Sequence, residues 1–113
     1  MDALLDVLVV GAGPAGNEAA HALARRGHSV LVLDYRERVG DKLCTGVVSR
    51  ECVEKYHVPD SLIYRPAQAA WVIPPDGRAL RVERDEVQAY VIDRVAFVDS
   101  ISARARASGA EYR

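Results

Sequence analysis

The chain has 113 residues, half of them hydrophobic, and its formal net charge is −1. This length is enough for one small domain and not for two, and the composition is typical of a soluble globular protein. Acidic and basic residues are mixed along the chain, so no basic tail or stripe indicates a nucleic-acid partner. No apolar run reaches the roughly 18 residues of a membrane-spanning helix, so the sequence predicts no transmembrane segment.

The amino-terminal residues and the cysteines indicate the compartment. The first ten residues are apolar, but Asp2 and Asp6 interrupt them and no basic segment precedes them, which argues against a signal peptide. We therefore expect a cytoplasmic protein in which Cys44 and Cys52 are free thiols. Contact with a membrane surface stays open as an alternative. The three histidines form no metal-ligand pair with a cysteine, so we expect no metal site.

The chain opens with a pattern of strand, glycine turn, helix and strand. A short buried strand is predicted over residues 6–10, and glycine-rich residues 11–16 follow it at once. A helix is predicted over residues 14–26, ending at Gly27, and a second apolar strand over residues 30–33. This order within about 30 residues is typical of a βαβ unit in a parallel sheet.

The predicted helix has two unlike faces. One face is almost entirely small, which allows close packing against a sheet; it comprises Gly16, Ala19, Ala20, Leu23 and Ala24. The opposite face is polar and comprises Asn17, His21 and Arg25. We therefore expect these three side chains at the surface.

The rest of the chain predicts a loop, a hairpin and a final helix. Residues 35–48 are rich in charge and glycine and predict a loop, with a short helix after it over residues 49–56. Two strands, 69–73 and 78–83, flank a Pro-Pro-Asp-Gly turn and predict a β-hairpin. Its residues Trp71, Val72 and Ile73 are expected in the core or on a sheet face. A short extended run at residues 90–92, a helix from Arg94 to Gly109 and an incomplete strand at residues 110–113 follow.

The sequence VLVVGAGPAG places a Gly-x-Gly-x-x-Gly motif directly between a strand and a helix. Gly11 permits a tight turn, Gly13 lets the backbone approach a pyrophosphate, and Gly16 lets the helix lie close to the strand. The amino terminus of the helix then offers free N–H groups to phosphates. Asp34 ends the second strand, where a carboxylate accepts hydrogen bonds from ribose hydroxyls. The motif in this context predicts dinucleotide binding.

Three blocks of the sequence resemble a known family. GAGPAG with the following AAHALARRGHSVLVLD resembles the opening of FAD enzymes of the glutathione-reductase and p-hydroxybenzoate-hydroxylase type. GDKLCTGVVS, at residues 40–49, and the later YVIDRVAFVDSISARARASGAEYR resemble segments of the geranylgeranyl reductase family. The resemblance implies an FAD-dependent oxidoreductase that reduces carbon–carbon double bonds of a lipid-like isoprenoid substrate, with an electron donor that the sequence does not identify.

The resemblance also implies which residues hold FAD. Ala15 and Gly16 would lie at the pyrophosphate and Asp34 at the ribose. The flavin side would be lined by Cys44, Thr45 and Gly46, and Arg94 would reach the cofactor. The full set of predicted cofactor-binding residues is Gly11, Gly13, Pro14, Ala15, Gly16, Asp34, Tyr35, Arg36, Cys44, Thr45, Gly46 and Arg94. Only Cys44 is a candidate near the reacting flavin, and no proton donor is identified.

Some residues depart from the family pattern. Asp34 stands where glutamate is usual, which shortens the reach of the carboxylate by one methylene. Thr45 and Val47 stand where glycines are common, which puts close approach of the backbone to the flavin in doubt. Val98 replaces the usual aspartate after Phe97.

The predicted fold class is α/β, a Rossmann-like βαβ FAD-binding domain with a parallel sheet and an inserted β-hairpin. Residues 1–113 would form the amino-terminal part of this domain, and full family members are longer and add a substrate domain. We therefore expect an incomplete fold that binds FAD weakly alone.

Alternative functions stay open. The first block is shared with FAD-dependent aromatic hydroxylases and lycopene-cyclase-like enzymes. A nucleotide-binding fragment without catalysis is a further alternative, and an NAD dehydrogenase is the weakest.

Overall fold

The computed structural model describes residues 4–113. The chain divides into two compact units. Unit 1 contains the chain up to Leu43 together with Arg94–Arg113, and unit 2 is Cys44–Asp93. In chain order the elements are β1 (Val7–Val10), α1 (Pro14–Ala24), β2 (Val30–Leu33), β3 (Val47–Ser49), α2 (Arg50–Lys55), a 3-10 turn (Asp60–Leu62), β4 (Ile63–Ala67), β5 (Ala69–Val72), β6 (Leu80–Glu83), β7 (Ala89–Ile92), α3 (Arg94–Ala107) and β8 (Glu111–Tyr112).

Unit 1 is built on a parallel sheet with the strand order β1-β2-β8. Val7 pairs with Val30 in the first ladder, and Leu31 pairs with Glu111 in the second. The strand predicted at residues 110–113 is therefore confirmed as β8, and it lies beside β2. The chain between β2 and α3 holds the whole of unit 2, so unit 2 is an insertion in a parallel crossover.

The core of unit 1 lies between this sheet and the two helices α1 and α3. Small side chains dominate it, and its fully or nearly fully buried members are Ala12, Ala20, Ala24, Val30, Val32, Ala105 and Ala110. Alanines on both helices let their backbones approach the strands closely. The opposite face of β1 is open, because Leu8 and Val10 are exposed. The prediction that this strand is buried was wrong for that face, because the core packs only against the opposite face, through Val7 and Val9.

The predicted faces of α1 need a correction. Asn17, expected at the surface, is completely buried, whereas Ala19 is exposed. His21 is half-buried, and its Nδ1 lies 2.9 Å from the hydroxyl of Ser108. The reason is that α3 packs along α1, so α1 is covered by α3 as well as by the sheet.

Unit 2 contains two antiparallel sheets. The first has the order β3-β7-β4, and the second is the hairpin of β5 and β6, in which Ala69 pairs with Glu83 and Val72 with Leu80. The predicted hairpin is confirmed, as is a short helix at α2, where the Ser49 hydroxyl accepts a hydrogen bond from Cys52 N. The prediction of a loop through residue 48 was wrong at its end, because β3 begins at Val47.

The hairpin is more exposed than the sequence predicts. Trp71, Val72 and Ile73 were expected in the core or on a sheet face, and all three side chains are exposed. Trp71 and Val72 lie in β5, on a sheet that faces solvent, and neither side chain is in the core. Among the described helices, none combines the length and the hydropathy needed to cross a membrane.

Candidate functional site

The glycine-rich turn joins the end of β1 to the start of α1. Gly11 adopts φ = +104°, a backbone conformation that favours glycine, and this turns the chain sharply out of the strand. The Gly11 N–H donates to the carbonyl of Leu33 at 2.7 Å. The turn is therefore held against the carboxyl end of β2, which is where ligands bind in open parallel sheets.

Gly13 and Gly16 serve opposite purposes. A β-carbon built at Gly16 would lie 2.0 Å from the carbonyl oxygen of Gly11 and 3.3 Å from a methyl group of Val9, so only glycine fits there. A β-carbon at Gly13 would meet no atom within 4 Å apart from those of its neighbours along the chain. Other residues thus pack directly against the α-carbon of Gly16, whereas the space beside the α-carbon of Gly13 is free. Backbone binding of a pyrophosphate requires such a space.

The first turn of α1 faces this room with free donors. Gly13 is the N-cap residue and supplies no capping side chain, and Pro14 occupies the first turn without an N–H. The N–H groups of Ala15 and Gly16 are therefore available to an anion at the positive end of the helix dipole. The first turn carries no acidic residue that would repel a phosphate.

Asp34 closes the site from the side of β2. Its Oδ2 accepts a hydrogen bond from Ala12 N at 2.8 Å, and its Oδ1 accepts one from Arg36 N at 2.9 Å. These bonds, first of all the one from Ala12, lower the pKa of Asp34 below its usual value of 3.8. The carboxylate is ionised at neutral pH, and each oxygen keeps a lone pair for a ribose hydroxyl.

A cleft of about 350 Å³ opens beside Asp34. Two stacked pairs line it: the Arg36 guanidinium lies 4.3 Å from the centre of the Tyr35 ring, and the Arg106 guanidinium lies 3.9 Å from that of Tyr112. Flat, cationic surfaces of this kind suit a planar heteroaromatic ring. Asp34 connects the two features, because it bonds to Ala12 of the glycine turn and also lines the cleft.

Sequence reasoning missed two residues of this site. Asn17 is buried beneath the glycine turn, and its side-chain amide donates to the carbonyls of Ala12 at 2.8 Å and Gly13 at 3.0 Å. The Tyr112 hydroxyl donates to Asn17 Oδ1. A polar residue directly after the third glycine was the only sequence signal for Asn17, and Tyr112 had none beyond its place in the last strand.

Three predicted flavin-side residues lie in unit 2. Cys44 is exposed, and its Sγ accepts a hydrogen bond from the Gly46 N–H at 3.5 Å. Thr45 Oγ1 accepts from Val47 N at 3.4 Å. Gly46 has φ = +73°, and a β-carbon there would lie 2.7 Å from the carbonyl oxygen of Ile92, so this glycine is required by the fold of unit 2. Contact of the three residues with a flavin stays a prediction.

Arg94 lies in unit 1, at the start of α3. Its guanidinium donates to the carbonyl of Gly40 at 3.0 Å and so fixes the segment that precedes Cys44 in sequence. Val98, which departs from the family pattern, is completely buried, and Asp99 pairs with Arg38 at 3.7 Å. The aspartate displaced by one position is thus accommodated as a surface ion pair.

A parallel βαβ unit with this glycine turn and this strand-end acid defines a Rossmann-type dinucleotide-binding protein. Residues 9–74 match the family model described as NAD(P)-binding Rossmann-like domain. The chain belongs to this family. The predicted α/β fold class is confirmed.

Relatives extend the similarity over nearly the whole chain. A digeranylgeranylglycerophospholipid reductase of Methanosarcina mazei is 34% identical over 114 residues, which cover 96% of this chain and 28% of the relative. A geranylgeranyl diphosphate reductase of Rhodobacter capsulatus is 33% identical over 94% of this chain and 27% of the relative. The resemblance predicted from the three sequence blocks is therefore confirmed.

A solved structure agrees with these relatives. The crystal structure of a geranylgeranyl bacteriochlorophyll reductase-like protein from Thermoplasma acidophilum superposes with a TM-score of 0.78 and 27% identity, over 96% of this chain and 29% of that chain. The chain thus spans less than a third of the length of the proteins that it matches.

Proposed function

We propose that this chain is the ADP-binding, amino-terminal part of an FAD domain in a flavin-dependent oxidoreductase. The observation that carries the proposal is the pairing of a closed Gly16 with an open Gly13 beside an ionised Asp34. The pairing leaves space for phosphates where the backbone supplies donors, and it places an acceptor where a ribose would lie. A packing role alone would explain Gly16 and would leave the space at Gly13 without a purpose.

Each part of the site has a partner in the ADP half of FAD. The pyrophosphate would lie against Gly11, Gly13 and the first turn formed by Pro14, Ala15 and Gly16. The ribose would bond to Asp34, and the adenine would enter the cleft that the two stacked pairs line. Negative charge on Asp34 disfavours a nucleotide with a 2′-phosphate by repulsion.

The flavin half would extend toward other residues of the chain and of the longer protein. We propose Cys44, Thr45, Gly46 and Arg94 as its contacts, on the strength of the family resemblance. When bound, FAD supplies hydride transfer chemistry, and the protein's part is to hold it and to exclude water. No residue of this chain is proposed as a proton donor.

For the whole protein we propose reduction of carbon–carbon double bonds in an isoprenoid chain. Support comes from the names of the relatives in Methanosarcina mazei and Rhodobacter capsulatus, which are reductases of geranylgeranyl compounds. Such a substrate is lipid-like, so we propose a cytoplasmic protein that acts at the surface of a membrane. The electron donor is left open.

Absorption spectroscopy tests the cofactor assignment. The purified chain is mixed with FAD and desalted, and the visible absorption bands of the flavin are recorded. We expect the bands to be retained by the wild type and lost in Asp34→Ala and Gly13→Val variants. ADP titrated by calorimetry should compete with FAD. If the folded chain binds neither FAD nor ADP, and the full-length protein also binds neither, the proposal is wrong.

A further inference from the structure

Both amide protons and the amide oxygen of Asn17 have hydrogen-bond partners. Both amide protons go to carbonyls of the glycine turn, on Ala12 and Gly13, and the amide oxygen accepts from Tyr112. Asn17 is completely buried, so an unmade bond there would not be replaced by water. The orientation of the amide is therefore fixed by Tyr112 on one side and by the turn on the other.

Tyr112 connects this bond to a second element. Its ring lies under the Arg106 guanidinium of α3, at 3.9 Å, and it lines the cleft beside Asp34. Burial raises the pKa of Tyr112, and the charge of Arg106 offsets this only in part. The phenol is thus protonated at neutral pH and keeps its role as donor.

We infer that Tyr112 and Asn17 are positioning residues that hold the glycine turn in its phosphate-binding geometry. The bonds from Asn17 keep the carbonyls of Ala12 and Gly13 directed inward, beneath the turn. Carbonyl oxygens that rotated outward would oppose a pyrophosphate at the open side of Gly13. The inference rests on the proposed function, because a turn that binds no phosphate has no such geometry to preserve.

The inference predicts a selective effect on phosphate-bearing ligands. A Tyr112→Phe variant keeps the ring, the stack on Arg106 and the wall of the cleft, and it removes only the hydroxyl. We expect ADP affinity, measured by calorimetry, to fall by about tenfold, which corresponds to the loss of one buried hydrogen bond. Affinity for adenosine, which has no phosphate and is measured by NMR titration, should change by less than about twofold.

A matched control is available in Tyr64→Phe. Tyr64 is 68% exposed on β4, so the same chemical change there should leave ADP affinity as in the wild type. Equal losses for ADP and adenosine in Tyr112→Phe would overturn the inference, as would an unchanged ADP affinity. If the wild type binds FAD and ADP while Tyr112→Phe binds both equally well, only this inference fails; if the wild type binds neither, the proposed function fails first.

Amide hydrogen exchange tests the inference even if the Tyr112→Phe variant is destabilised. The amides of Gly11, Ala12 and Asn17 donate within the turn, to Leu33, Asp34 and Gly13. We expect these amides to exchange faster in Tyr112→Phe than in the wild type. The amide of Val32 in β2 is the reference, and its protection should change only as much as global unfolding does. Uniformly faster exchange across the sheet would indicate a general structural role and would overturn the inference.

Discussion

Gly16 and Gly11 are in backbone contact across the turn: a β-carbon at Gly16 would lie 2.0 Å from the Gly11 carbonyl oxygen. We therefore predict that Gly16→Ala is destabilising by about 3 kcal/mol, because backbone atoms on both sides must move apart. Urea unfolding followed by circular dichroism measures this loss. A variant as stable as the wild type would mean that the turn can relax without cost.

Gly13→Ala is the matched opposite. Gly13 has extended backbone angles that alanine also adopts, and the space beside it is empty of protein atoms. We predict a stability change below about 1 kcal/mol, from the poorer N-cap, together with a loss of ADP affinity of tenfold or more. Stability is read from urea unfolding and affinity from calorimetry. Undiminished ADP binding in this variant would contradict the position proposed for the pyrophosphate.

Asp34→Asn should change how stability depends on pH. The folded-state pKa of Asp34 lies below its usual value of 3.8, so its stabilising effect is complete above that value and is lost as the pH falls through the folded-state pKa. We predict that the variant is less stable than the wild type at pH 7, because its single amide oxygen can keep only one of the two bonds, from Ala12 or from Arg36. The two unfolding free energies should converge below pH 3.8.

The control for this experiment is Asp41→Asn. Asp41 is an exposed acid of the same unit, so the same substitution there should leave the curve of unfolding free energy against pH close to that of the wild type. If Asp34→Asn and Asp41→Asn give the same curves, the bonds from Ala12 and Arg36 to Asp34 do not stabilise the fold.

Arg94→Met should loosen the segment before Cys44. The variant loses the hydrogen bond to the Gly40 carbonyl, and we expect a stability loss of about 1 kcal/mol. Trypsin should then cleave faster after Lys42, which mass spectrometry of the fragments detects. Arg25→Met, at an exposed position on the carboxyl side of α1, is the comparison variant and should leave cleavage at Lys42 unchanged.

The two thiols should react at different rates. Cys44 is exposed, whereas Cys52 is half-buried and burial raises its pKa. We predict two phases with a colorimetric thiol reagent at pH 8, because only the thiolate reacts. Cys44→Ser should remove the fast phase and Cys52→Ser the slow one. A single fast phase for both thiols would show that α2 opens readily.

The sequence allowed the βαβ unit to be predicted because its signals are local. The glycines, the small face of the helix and Asp34 all lie within one stretch of chain, and each has one physical interpretation. In the sheet of β3, β7 and β4, only β7 was predicted, as the short extended run at residues 90–92. Its strands have three to five residues, and β4 contains Pro66, which is tolerated only because β4 is an edge strand.

The burial of Asn17 could not be predicted from the helical periodicity of the sequence. A pattern of apolar residues identifies the face of α1 that contacts its own sheet. It does not reveal a second covering element from a distant part of the chain, and α3 is such an element. A polar residue is tolerated beneath it because the turn and Tyr112 together supply partners for both amide protons and for the amide oxygen.

The bond between Tyr112 and Asn17 joins residues 95 positions apart. A ribosome synthesises Asn17 well before Tyr112, so a nascent chain carries the complete glycine motif while the amide beneath it still lacks its partner. The loop that this bond closes contains the whole of unit 2. The nucleotide turn would therefore reach its final form late in folding, after the inserted unit has been made, and early ligand capture during translation is disfavoured.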